Sequence, residues 1–293
     1  MTSRSENQIA KIVTVLKGTP NDEMTLATAF VTARLFGAHV RAIFAQQDPE
    51  KSIPGIGMAA SPGSFEQLMD TAREVSARAG RTAKQSLATE AERSKVRIVG
   101  SARRETGGTA SFVSEWGPVA GCLVREAPTC DLFVLPPLEG SDAELHDAFV
   151  DLLLKIGRPL LLSPRRVPEH IGQRVAVAWD NSLPAGHALS AALPFLSRAQ
   201  SVEVMIIQNA HDVREMLEPA KEYLSLHGIA CTEHIIDQGS LPIGDRILKH
   251  ASEHNSDLLV VGGYGHGRVR ETIFGGVTEH VTSHATIPLL MMH

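Results

Sequence analysis

The sequence predicts an α/β chain made of two tandem, doubly wound parallel-sheet domains. Three observations predict it. Short Val- and Ile-rich runs alternate with helical patterns, and those runs return in the same order in the second half. The length of 293 residues is also about twice a ~150-residue domain. Apolar residues make up 43% and charged residues 21% of the chain, which is ordinary globular usage. A disordered or fibrous chain is excluded, and each domain has enough apolar material for a core.

The first strand is KIVTVLK at 11–17, and its counterpart is RVAVAWD at 174–180. Each is short, branched at Cβ and followed by a turn and a helical pattern, as a buried parallel strand feeding a helix should be. Second strands follow at 39–45, HVRAIFA, and 202–208, VEVMIIQ. Both pairs are offset by 163 residues. The fourth strands are DLFVLPP at 131–137 and DLLVVGG at 257–263, and the closing strands are RPLLLSP at 158–164 and IPLLMMH at 287–293. Here the offset is 126 to 129 residues, so the first copy carries extra residues in its middle. A period this long means duplicated domains, not a solenoid. The linker is PRRVPEHIGQ at 164–173, which sets the expected domains at 1–166 and 170–293.

Part of the extra length is a Gly/Pro/Ser-rich loop at 51–64. A helix over about 64–93 follows, with Phe65, Leu68, Met69, Ala72, Val75, Ala79, Ala83 and Leu87 at helical spacing. It is expected to cover the first sheet. FVSEWGPVAGCLV at 112–124 reads as a docking helix interrupted at Gly117-Pro118, and Trp116 and Trp179 read as core.

The segment richest in chemistry is DLLVVGGYGHGRVRETIFGGVTEHVTSH at 257–284. A buried strand runs into Gly262, Gly263, Tyr264, Gly265, His266 and Gly267, then the basic Arg268 and Arg270. Gly275 and Gly276 open a helix carrying Val277 and Val281 on one face. Glycine lets backbone approach a ligand closely, and the N–H groups of a helix start favour phosphate. In an open α/β sheet the ligand belongs beyond the carboxyl ends of the strands, where strand order reverses. The segment is neither a P-loop nor the dinucleotide fingerprint, which follows the first strand of its unit.

Gly262, Gly265 and Gly275 are spaced as in the GxxGx(9)G[ST] motif. With it, residues 172–293 closely resemble the universal stress protein family, and residues 9–165 resemble it in the order of elements. The resemblance implies Rossmann-like domains of strand order 3-2-1-4-5, with the closing strands pairing to make an intrachain pseudo-dimer. It implies ATP or ADP as ligand, with or without Mg2+. It places the nucleoside near Asp180 and Ile207, and the phosphates over Gly262–Arg268 and Gly275–Val277. Two features depart from the family pattern. Gly276 stands where a hydroxyl residue is usual, and the first domain has Pro136, Glu139, His146 and Asp147 at the glycine positions and Lys17 in place of the aspartate.

The expected role is a stress-response nucleotide binder, regulatory or protective, with no catalytic residue and weak ATPase activity at most. An interaction module with a degenerate site and a slow nucleotide hydrolase stay open as alternatives. Net charge is −5 with no basic stripe, against nucleic acid as a partner. No apolar run approaches ~18 residues, against a membrane partner. The first residues show no signal-peptide pattern, and Cys122, Cys130 and Cys231 form no CxxC; a reduced cytoplasm is expected. An unidentified protein partner and a homodimer are left open. His250/His254 and His280/His284 lie four apart, but no third ligand is evident in sequence, so no metal is expected. Ser182, Ser240 and Cys122 stand in no nucleophile motif.

Overall fold

A computed structural model describes residues 9–46, 62–138, 142–207, 213–237, 239–263 and 276–293. The first half comprises β1 (Lys11–Leu16), α1 (Asn21–Phe36), β2 (His39–Gln46), α2 (Pro62–Ser94), β3 (Arg97–Ile98), β4 (Thr109–Trp116), α3 (Val119–Glu126), β5 (Leu132–Leu135), α4 (Ala143–Asp151) and β6 (Leu160–Leu162). The second comprises β7 (Arg174–Ala178), α5 (Leu183–Leu196), β8 (Ser201–Ile207), α6 (Val213–Leu226), β9 (Thr232–Ile236), α7 (Ile243–Glu253), β10 (Leu258–Gly262), α8 (Gly276–His284) and β11 (Leu289–Met292).

The described strands join into one sheet of order β3-β4-β2-β1-β5-β6-β11-β10-β7-β8-β9. Each half therefore has the 3-2-1-4-5 order, and the short β3 extends the first edge. Within each half the pairs are parallel, while β6 and β11 pair antiparallel through Leu162–Leu289, Leu161–Leu290 and Leu160–Met291. Antiparallel pairing is what a pseudo-two-fold axis between two equivalent last strands demands. It also removes two apolar edges that would otherwise be open to further strands.

Alternation along the strands sends side chains to two cores, one on each face. Ile12, Leu161, Val175, Val177, Leu258, Val260 and Leu290 face α1, α2, α5 and α6. Val13, Val15, Leu160, Ala176, Leu259, Val261, Leu289 and Met291 face α3, α4, α7 and α8. Both cores run unbroken across the β6–β11 junction. On the first face the halves also touch through Phe36 and Phe195, edge to face at 5.0 Å. Helix α1 presents Thr25, Thr28 and Thr32 to its surroundings, all buried. Their hydroxyls donate to the carbonyls of Asn21, Met24 and Thr28, each 2.8 Å away, which satisfies them without outside partners.

Three expectations are corrected. Residues 109–116 are strand, and the helix starts only at Val119. TASFVSEW pairs with β2 along its whole length, and sheet pairing outweighs local helical spacing. Trp116, at the outer end of this strand, is 61% exposed, whereas Trp179 is buried as expected. In α2 the apolar stripe is only partly a core stripe. Met69, Ala83 and Leu87 are buried, but Leu68 and Val75 are exposed.

Candidate functional site

The second half reverses strand order at β7. Ala178 of β7 pairs with Met205 of β8 on one side and with Val261 of β10 on the other. Asp180, Ile207 and Gly263 each lie two residues beyond this matched row, so they stand abreast at the carboxyl edge of the sheet. This is the switch point where doubly wound folds hold ligands.

Each expected residue has a defined local role. Asp180 is exposed, and its Oδ1 accepts from the Ser182 N–H at 3.0 Å. The cap of α5 itself is Ser182, whose Oγ accepts from Ala185 N at 3.3 Å. Ile207 ends β8, half-buried, with its side chain against the second core. Gly262 ends β10 under the start of α5. A Cβ there would lie 2.5 Å from Ala185 N and 2.7 Å from the Pro184 carbonyl carbon. Packing alone therefore excludes a side chain at Gly262. The Gly263 N–H donates to Met292 O at 2.8 Å, and its carbonyl lies 2.8 Å from His293 Nδ1, which ties this turn to the end of β11.

Gly276 is the first residue of α8 and is exposed. A Cβ there would meet nothing within 4 Å among the described residues. Val277 follows, half-buried against the second core. Tyr264, Gly265, His266, Gly267, Arg268, Arg270 and Gly275 lie outside the described residues. Among the described residues the sheet register sets Asp180, Ile207 and Gly263 abreast at this edge, with Gly262 one residue back along β10, while Gly276 and Val277 open α8, which leads into β11.

The same edge of the first half is arranged differently. Gly18, after β1, has φ +70°, and a Cβ on it would lie 2.3 Å from Ala79 O, so α2 presses onto this turn. Asp22 accepts from the Lys17 and Gly18 N–H groups at 2.9 and 2.8 Å. Burial pushes the Asp22 carboxyl above its usual range despite those bonds. Lys17, in the register of Asp180, places its Nζ 2.5 Å from Asp142 Oδ2 and 4.0 Å from Glu144 Oε2. Asp142 is also the cap of α4, accepting from Leu145 N at 3.1 Å. The helix therefore starts ahead of His146 and Asp147, which lie within it. Carboxylates and an ion pair thus stand at this edge of the first half.

The two histidine pairs differ. His280 Nε2 lies 2.7 Å from Asp245 Oδ1, and its ring stacks on His284. His250 and His254 meet two residues that sequence reading missed, Glu203 of β8 and His234 of β9. Strand alternation shows that each residue has a facing side, but not that β8 and β9 present those sides to α7.

Residues 172–293 match the model of the Universal stress protein family. No curated protein matches the chain. Among solved structures, a universal stress protein from Archaeoglobus fulgidus shares 15% identity over 97% of this chain and 96% of its own, with a TM-score of 0.66. A putative universal stress protein from Pseudomonas aeruginosa UCBPP-PA14 shares 12% identity over 97% of this chain and 93% of its own, with a TM-score of 0.58. The match to the family model is thus confined to residues 172–293, and the chain shares the fold of these two proteins along nearly its whole length.

Proposed function

We propose, from a second half that matches the universal stress protein model, that the chain binds one ATP or ADP there and acts as a stress-response regulator or protector. The observation that carries this reading is the glycine spacing at 262, 265 and 275, attached to a switch-point edge and leading to a helix start. In this reading Asp180 accepts a hydrogen bond from the nucleoside, and the main chain of Ile207 meets the base. The N–H groups of Gly276 and Val277 face the phosphates, with Arg268 supplying charge. Any Mg2+ arrives on the nucleotide's own phosphates.

The first half does not bind a nucleotide in this reading, because the Lys17–Asp142 pair neutralises the cation and sets carboxylates against phosphate. Binding would bias contact with a protein partner. No described helix is long and apolar enough to cross a membrane, and a cytoplasmic location belongs to the same proposal. One observation favours the alternative of an interaction module: Gly276 brings no hydroxyl to the phosphates.

Isothermal titration of the full chain with ATP and ADP tests the reading. The expected stoichiometry is near one, with binding abolished by Gly265→Val. Restoring the hydroxyl with Gly276→Ser should tighten binding about tenfold or more, as a charge-assisted hydrogen bond of ~1.5–3 kcal/mol implies. No binding by the wild-type chain or by Gly276→Ser would replace this reading with the interaction module.

A further inference from the structure

We propose that Glu203, His234, His250 and His254 form a binding site for one divalent transition-metal ion of the zinc class. These residues come from three elements, and one ligand atom from each lies within 4.8 Å of all the others. Glu203 Oε2 stands at the hub, 3.2 Å from His250 Nε2, 3.6 Å from His254 Nδ1 and 3.9 Å from His234 Nε2. The three rings crowd together, with centroids 3.9 to 4.9 Å apart.

The dimensions fit. Tetrahedral zinc with bonds of about 2.0–2.1 Å sets its ligand atoms roughly 3.4 Å apart. Three imidazoles and one carboxylate suit zinc and its neighbours among borderline metals, and disfavour the oxygen-seeking Mg2+ and Ca2+.

A second observation points to an ion. His234 Nε2 is buried and has no hydrogen-bond partner. Buried polar atoms without partners are rare and costly. The His250 Nε2–Glu203 contact and the bond from His254 Nδ1 to the His250 carbonyl oxygen at 3.1 Å both leave this nitrogen unsatisfied, whereas an ion bound between the four groups, with His254 Nδ1 released from that carbonyl, satisfies it.

The site is separate from the proposed nucleotide edge. Glu203 lies four residues back along β8 from Ile207, about 13 Å at ~3.3 Å per residue. Four protein ligands make a closed centre, which is the structural kind. Its effect would be mechanical: it joins β9, the last strand of the sheet, to β8 and to the end of α7. Thr232, Glu233 and Ile235 of β9 are exposed, so this is an edge that profits from being pinned.

The test uses the full chain, stripped with a chelator and titrated with Zn2+ alone. The expected result is one Zn2+ per chain and a higher thermal midpoint with zinc present. Co2+ in place of Zn2+ should give intense tetrahedral visible bands. His234→Gln and Glu203→Gln, with folding checked by circular dichroism, should each weaken binding at least tenfold and remove those bands; loss of an outer-shell partner alone costs about 10–100-fold. His284→Asn, at the other histidine pair, should change nothing. The wild-type chain alone can overturn the proposal, by binding no Zn2+ or by giving only weak octahedral Co2+ bands. Equal affinity in His234→Gln and wild type would overturn it as well.

Discussion

Asp131 and Asp257 do the same work in the two halves of the chain. Asp131 Oδ2 accepts from Ala10 N and Lys11 N, both at 2.9 Å. Asp257 accepts from Gln173 N at 3.1 Å and Arg174 N at 2.9 Å. Each carboxylate stands at the entry to a fourth strand and fixes the start of the first strand beside it. The internal repeat is thus preserved in hydrogen bonds as well as in the order of strands.

Removing either carboxylate orphans two backbone donors. Asp131→Ala and Asp257→Ala should each lower unfolding free energy by about 1–3 kcal/mol. Urea denaturation of the two variants checks this. An unchanged midpoint in either would show that water replaces the carboxylate at that strand start.

Gly262 and Gly276 belong to the same sequence segment but should respond in opposite ways. Gly262→Ala drives a methyl against the backbone of α5 and should cost about 1–3 kcal/mol through overpacking, with no nucleotide present. Gly276→Ala meets nothing within 4 Å among the described residues and should stay within about 0.5 kcal/mol of wild type. Denaturation of both apo variants separates a glycine kept for packing from one kept for other reasons. A neutral Gly262→Ala would refute the close approach.

The β6–β11 junction gives a covalent test. Opposed residues in antiparallel strands sit about 4.5–5.5 Å apart between Cα atoms, within disulfide range. Leu161→Cys with Leu290→Cys should oxidise to a crosslink inside one chain, visible as a faster monomer on a non-reducing gel. Crosslinked dimers alone would mean that the closing strands pair between chains.

Asp22 should leave a mark on the pH dependence of stability. Burial raises its folded-state pKa, outweighing the Lys17, Gly18 and Thr19 amides and the Lys17 charge. The folded chain therefore holds this proton more tightly than the unfolded chain does. Its contribution is fully present below the unfolded value of about 4. It is lost as pH rises through the folded value. Urea midpoints measured upward from about pH 4 should show this loss in wild type and not in Asp22→Asn. Parallel profiles for the two proteins would contradict it.

Cys130 gives a chemical counterpart. Burial pushes its thiol up to about 12, so almost no thiolate is present at pH 8. Alkylation of the native chain should leave Cys130 unmodified, and denaturant should expose it. Rapid native labelling at Cys130 would show that the β1–β5 region opens.

The sequence by itself determined the duplication, four of the five strand positions in each half, the fold class and the glycine spacing. Those features are local or periodic: a buried parallel strand needs a continuous apolar run, and Val175–Val177 or Leu258–Val261 is buried whatever its neighbours are. The third strands were not legible, because β4 and β9 lie toward the sheet edges and carry mixed residues such as Ser111, Glu115, Glu233 and His234. Only pairing with β2 and β8 makes them strands. Tertiary structure also decided that Gly262 is fixed by the approach of α5, that Lys17 is neutralised by Asp142, and that Glu203 and His234 join His250 and His254. In each case the partners are far apart in sequence, and the sheet register and helix crossings bring them within bonding distance.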